Sequence, residues 1–292
     1  MTDHTPRPPS PPRAAGADRA PAPVAADEIA GLGRPGPAGP GRRPALEIAV
    51  TSPAGARVAL DHRADRVELC TGLELGGLTP SAALVEAVAA VGLPVQALVR
   101  CRPGDFVHDA EEIALMVAEV RSVIASGASG VVIGALTADG GLDIDAVTRL
   151  AAAAHDAGRP VEVTLHRAID VSADPVATAA LLPALGFTRV LTSGGAPAAG
   201  EGLAALAAMV EAAPGVQVMA GGGVRPADIP ALTATGVAAV HLSAKRRAEP
   251  RRGGAWIPLG ASSASAEQDT YFVTDPAVVA EARGMLESRA TG

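Results

Sequence analysis

Aromatic residues are nearly missing from this chain: one Trp, one Tyr and three Phe among 292 residues. A surface that stacks nucleic-acid bases needs more ring faces than that. Basic charge is not in excess either. With 24 Lys and Arg against 31 Asp and Glu, the net charge is −7, which argues against a general nucleic-acid binder. Cysteine is scarce, and Cys70 and Cys101 do not make a secreted disulfide framework. No apolar run approaches the roughly 20 residues that span a bilayer, and the N-terminal stretch lacks the apolar core of a signal peptide. The expectation is a cytoplasmic protein with neither a nucleic-acid nor a membrane partner.

What the chain has is aliphatic residue: 48% of it is hydrophobic, so Ala, Val, Leu and Ile must fill the core. Eight short apolar runs occupy 46–50, 67–70, 95–100, 130–134, 161–166, 190–193, 216–221 and 239–243. Their first residues fall 21, 28, 35, 31, 29, 26 and 23 positions apart, with helix-length segments between. That rhythm predicts an α/β fold, a (β/α)8 TIM-type barrel over 45–290. Residues 1–44 hold 11 of the 25 prolines and little apolar periodicity, and are expected to be a disordered Pro/Gly/Ala-rich arm. Ser52-Pro53, Thr79-Pro80, Asp174-Pro175 and Asp275-Pro276 each offer a capping oxygen before a proline at the first helical position. Gly127, Gly158, Gly186 and Gly236 end helices before the next strand. Residues 245–270 read as a long loop at the carboxyl end of the barrel, before a last helix opened by Asp275.

Alternation sends Val161, Val163 and Leu165 outward and Glu162, Thr164 and His166 toward the barrel axis. The same parity turns inward Glu47, Glu68, Cys70, Gln96, Arg100, Gln217, Met219, His241 and Ser243. Polar groups in a barrel interior are costly unless paired. Glu47 and Glu162, low on their strands, read as structural ion-pair members balanced by Arg100 and the histidines. Groups at carboxyl ends of strands point to function instead, because the loops there build active sites. Glu68 and His166 are acid/base candidates, joined by Asp170 in the His166-Arg167-Ala168-Ile169-Asp170 turn.

Anion binding is expected from Arg100 and Arg102, which could clamp a carboxylate or phosphate from one loop, and from Arg167. The glycine clusters Thr192-Ser193-Gly194-Gly195 and Gly221-Gly222-Gly223 let backbone N–H groups approach an anion. Ser193, Gly221, Gly222, Gly223, Ser243 and Lys245 complete that candidate set. No zinc spacing of Cys and His, Walker loop or dinucleotide fingerprint occurs. A soft Cu(I) ion could use Cys70, Cys101 or Met219, although Cys101 has opposite parity to Arg100.

Six ordered motifs carry a resemblance. They are Ala64-Asp65-Arg66-Val67-Glu68-Leu69-Cys70, Gly76-Gly77-Leu78-Thr79-Pro80-Ser81, Gly104-Asp105-Phe106, Thr164-Leu165-His166-Arg167-Ala168-Ile169-Asp170, Val190-Leu191-Thr192-Ser193-Gly194 and Met219-Ala220-Gly221-Gly222-Gly223-Val224. Over about 46–244 the chain resembles the copper homeostasis protein CutC family. The resemblance implies a TIM-type barrel, a cytoplasmic setting, copper handling and self-association into a homo-oligomer. Cys70 matches one copper-linked cysteine of that family, while Ala49 stands where the other often lies. Cys101 replaces the proline of the family's usual Arg-Pro-Arg, and Ile169 a phenylalanine. A barrel scaffold whose oligomer surface is its function is the blandest reading, and two functions stand before it, copper handling first. One is a copper-homeostasis protein holding Cu(I) through Cys70, with Cys101 or Met219. The other is a lyase- or isomerase-type enzyme acting on a small phosphorylated or carboxylated metabolite.

Overall fold

Each strand offers one aliphatic face and one mixed face, so a closed sheet can bury both: one under helices, the other around its axis. A computed structural model describes residues 43–249 and 271–288. Strands Ala45–Val50 (β1), Arg66–Leu69 (β2), Val95–Leu98 (β3), Gly130–Ile133 (β4), Glu162–Leu165 (β5), Arg189–Thr192 (β6), Gln217–Ala220 (β7) and Ala239–Leu242 (β8) form a closed parallel barrel in chain order. β8 closes on β1 with Glu47 opposite His241. Helices Pro53–Asp61 (α1), Ala82–Ala89 (α2), Ala110–Ala125 (α3), Ile144–His155 (α4), Pro175–Leu181 (α5), Leu203–Ala212 (α6) and Ile229–Ala234 (α7) alternate with the strands, and Pro276–Glu287 (α8) follows.

The outward residues of the strands, among them Ile48, Leu69, Val131, Val163, Val190 and Val240, join Val85, Met116, Leu150, Leu206, Leu232 and Leu286 of the helices in one continuous core. Burying each such side chain contributes about 1.5–3 kcal/mol, so the ring between sheet and helices holds the fold. None of the described helices is long and apolar enough to cross a membrane.

Helix starts follow the expected grammar at three of four places. Ser52, Asp174 and Asp275 each accept a backbone N–H of the first turn, from Gly55, Ala177 and Ala277. Thr79 corrects the fourth. Ser81 caps α2 through the Leu84 N–H, whereas the Thr79 hydroxyl donates to Glu119 at 2.8 Å and accepts the Arg100 N–H at 2.9 Å. The loop before α2 is thereby tied to the end of β3.

Positions 1–42 of the expected proline-rich arm lie outside the described residues. Arg43, its next residue, donates to both oxygens of Asp65 at 3.0 and 2.9 Å. Most of the expected 245–270 loop lies outside them too. Its first residues are strand rather than loop: Lys245–Arg247 (β9) pairs antiparallel with Phe272–Thr274 (β10).

Candidate functional site

The barrel floor is filled by ions that pair with one another. Arg66 donates through Nε to Glu47 and through a terminal nitrogen to the Met219 sulfur at 3.1 Å. Arg189 meets Glu162 at 3.2 Å and donates to Thr164 at 3.1 Å and Gln217 at 3.2 Å. Gln96 donates to the same Glu162 at 2.8 Å. The ion-pair role expected of Glu47 and Glu162 therefore holds, but its partners differ. Arg66 and Arg189, not Arg100, balance these glutamates, with His241 as a further partner of Glu47. Both arginines keep inward parity one residue ahead of the apolar runs at 67 and 190, which is the signal that would have found them.

From Glu47 the chain of contacts climbs toward the carboxyl ends of the strands. His241 Nδ1 lies 2.9 Å from Glu47, and its Nε2 lies 3.4 Å from Glu68. Burial opposes a charged imidazole, yet Glu68 and Glu47 together raise the pKa of His241. Glu68 is pushed up to about 7, chiefly by burial and further by Glu47, against the pull of His241. A carboxyl group poised there can give or take a proton near neutral pH.

Above this pair opens a cavity of about 130 Å³, walled among others by Glu68, Cys70, Arg100, Phe106, His166 and His241. Ala49, Arg167 and Ser243 also line it. His166 packs against Phe106 with ring centroids 4.8 Å apart, and its ring lies over Gly134. A Cβ on Gly134 would come 2.4 Å from the imidazole, so only glycine leaves the ring its place. Nδ1 of His166 accepts the Ala168 N–H at 3.1 Å, and the buried Nε2 has no partner. Burial, then Arg100, presses the pKa of His166 down to about 3. The ring is therefore neutral, with its proton on Nε2. It is a hydrogen-bond donor at neutral pH rather than a base.

Arg100 is fixed without a carboxylate partner among the described residues. Its terminal nitrogens donate to the carbonyls of Leu75, Gly77 and Gly104 at 3.0, 3.1 and 2.7 Å, and its guanidinium lies 5.2 Å from the Phe106 centroid. Its buried Nε has no acceptor. A rigid guanidinium with an unused donor, in a wall with no fixed counter-ion, suits a small anion.

The other expected site residues fall into different surroundings. Arg102 turns away to pair with Glu112 and Asp105. Asp170 anchors the neighbouring turns: it accepts from Arg167, Thr192, and the backbone N–H groups of Ser193 and Gly195 at 2.5–3.1 Å. Ser193 is fully buried, donating to Ala196 and accepting from Arg167. Gly221 and Gly222 make room for the chain itself. A Cβ on Gly221 would strike Leu191, and one on Gly222 would lie 2.7 Å from the Arg167 guanidinium carbon. Gly223, at φ +64, faces Ala198. Lys245 lies over the Phe272 ring, 4.5 Å from its centroid.

The two cysteines are apart in surroundings. Cys70 is in the cavity wall and packs with Leu98 and Val132, whereas Cys101 packs against the outer core. Burial first, then Glu68 and Glu74, pushes the Cys70 thiol up to about 12. It is a protonated thiol in the resting protein.

Fold and site together define a parallel eight-stranded barrel with a largely apolar chamber, carrying a few charged groups, at the carboxyl ends of its strands. The CutC family model matches residues 45–246. A curated family protein CutC from Klebsiella pneumoniae (strain 342) is 39% identical over 254 residues, covering 83% of this chain and 98% of that protein. One from Caulobacter vibrioides (strain NA1000 / CB15N) is 43% identical over 200 residues, covering 68% and 80%. The solved structure of a CutC from Streptococcus agalactiae, provisionally described as a copper homeostasis protein, aligns with a TM-score of 0.62 at 28% identity. It covers 68% of this chain and 98% of that one. The chain belongs to the CutC family.

Proposed function

We propose that the chamber binds a small carboxylated or phosphorylated metabolite and moves a proton on it, as a lyase or isomerase does. The carrying observation is the meeting of three complementary groups in one wall. Glu68 titrates near neutrality, His166 offers a neutral N–H donor, and Arg100 brings a positive charge with no carboxylate partner among the described residues. Arg100 would hold the anionic group. His166 Nε2–H would donate to a carbonyl oxygen as negative charge develops there. Glu68, as the carboxylate that His241 stabilises, would take the proton from the adjacent carbon and become the neutral acid. A cavity of about 130 Å³ suits a single small molecule.

The test is proton exchange in D2O, followed by NMR over a panel of small oxo acids and their phosphorylated analogues. At least one should exchange its α-proton. Glu68→Gln should slow that exchange about 10²–10⁴-fold, and Arg100→Met should raise KM far more than it changes kcat. If no such acid binds or exchanges, the reading is wrong.

Copper handling is the second reading, favoured by Cys70 in the wall. The donor set fits it poorly. Ala49 fills the place where the family resemblance puts a second cysteine, Met219 sulfur is taken by Arg66, and Cys101 packs elsewhere. Cu(I) favours soft sulfur ligands, and one protonated thiol does not make such a site. Titration with Cu(I) against a competing chelator should show no tight chamber site. Stoichiometric uptake that Cys70→Ser abolishes would reverse the order of the two readings.

A further inference from the structure

Outside the chamber, one group of side chains combines three metal-ligand types. Cys101 Sγ lies 4.0 Å from His108 Nδ1, and that nitrogen lies 3.2 Å from a Glu112 oxygen. All three donor atoms fall within 4.8 Å of one another. On a tetrahedral ion with metal–sulfur near 2.3 Å and metal–nitrogen near 2.0 Å, donors stand roughly 3.3–3.6 Å apart. Movements of about half an ångström close the sulfur–nitrogen gap to that spacing, and movements of about an ångström the widest gap of up to 4.8 Å.

The surroundings favour a cation. The His108 side chain is fully enclosed, and its Nε2 has no partner. Glu112 supplies the negative charge, and its carboxylate faces the imidazole. Arg102 meets part of that charge, through Nε on one Glu112 oxygen and through a terminal nitrogen 3.2 Å from the oxygen that faces His108, which also accepts the Asp109 N–H.

We infer that Cys101, His108 and Glu112 form a site for a divalent ion of borderline softness, Zn2+ in type, with water as the fourth ligand. Thiolate, imidazole and carboxylate are all zinc donors, whereas the single sulfur is too few for Cu(I). Binding replaces the Cys101 S–H bond with a sulfur–metal bond and releases that proton to solvent. The ion would clasp the two ends of the 101–108 loop to the first turn of α3. That loop supplies Phe106 to the chamber wall and the Gly104 carbonyl to Arg100. The site thus stands apart from the proposed chemistry and is tested without it.

Co2+ serves as the spectroscopic probe on the full chain, followed by Zn2+ competition. One equivalent should bind with a thiolate-to-cobalt charge-transfer band in the near ultraviolet, bleached by Zn2+. Cys101→Ser should remove the band, and His108→Ala should weaken Co2+ binding by about tenfold or more. Cys70→Ser should keep both band and affinity, and circular dichroism checks that each variant is folded. Proton release of about one per Zn2+ near neutral pH is the second measurement. Absence of the band in wild type, or its survival in Cys101→Ser, would overturn the site.

Discussion

Glu47→Leu should cost the barrel about 3–5 kcal/mol of stability, the usual result of removing one partner of a buried ion pair. Glu47 is 1% exposed and takes hydrogen bonds from Arg66 and His241. Without it, His241 still has Glu68, but Arg66 is left inside the sheet with, among the described residues, only the Met219 sulfur as hydrogen-bond partner. An uncompensated guanidinium there cannot shed its proton, so the cost falls on folding. Adding Arg66→Met removes the stranded charge, and the double variant should recover most of the loss. Urea midpoints of the two single variants and the double variant measure this. Burial works to raise the Glu47 pKa, but Arg66 and His241 hold it well below the carboxylate range. A depressed acid stabilises above its unfolded pKa and loses that contribution as pH falls. The Leu variant should therefore lose less stability than wild type in strong acid. A midpoint unchanged by Glu47→Leu would show that the floor pair contributes nothing.

Much of this architecture was written in the order of residue types. Eight runs at near-constant spacing state the barrel, and parity puts Glu68, Cys70, Arg100, His166 and His241 on its axis without any coordinates. What parity could not give was the partner of each charge. Arg66 and Arg189 were passed over because an apolar run starts after them, although a strand's hydrogen bonding starts where the backbone is extended, whatever the side chain. Loop residues were harder still. Arg100 and Arg102 are two positions apart, yet one enters the wall and the other turns to Glu112, ten residues on at the start of α3. Asp170 beside His166 looks catalytic in sequence. Its carboxylate is spent on Thr192, Ser193 and Gly195, contacts that only the closed ring brings within reach. His108 carried no local signal, since its meaning depends on how the 101–108 loop folds back on Cys101.

Acid titration of His166→Asn should uncover a gain in stability that His166 largely offsets in the parent protein. His166 has its pKa depressed to about 3, so its stabilising contribution is complete above about 6.5 and is lost progressively as pH falls toward 3. Glu68 has the opposite sign. Raised to about 7, it favours the folded state below its unfolded value and loses that contribution as pH rises through neutrality. His241, also raised, works in the same direction as Glu68. Between about pH 7 and 5 the parent therefore sets a loss from His166 against gains from Glu68 and His241. Asparagine removes the loss and leaves the gains. The variant has a lower midpoint overall, because it gives up the Phe106 contact and ring packing over Gly134. Its midpoint should nevertheless rise on acidification across that window more steeply than the parent's, in which the His166 loss offsets most of the gain. The comparison also bears on chemistry, because a ring that stays neutral down to such acidity can act only through its Nε2–H. If the midpoint of His166→Asn follows pH no differently from the parent's, the imidazole is not held neutral, and its place as the donor opposite Glu68 falls with it.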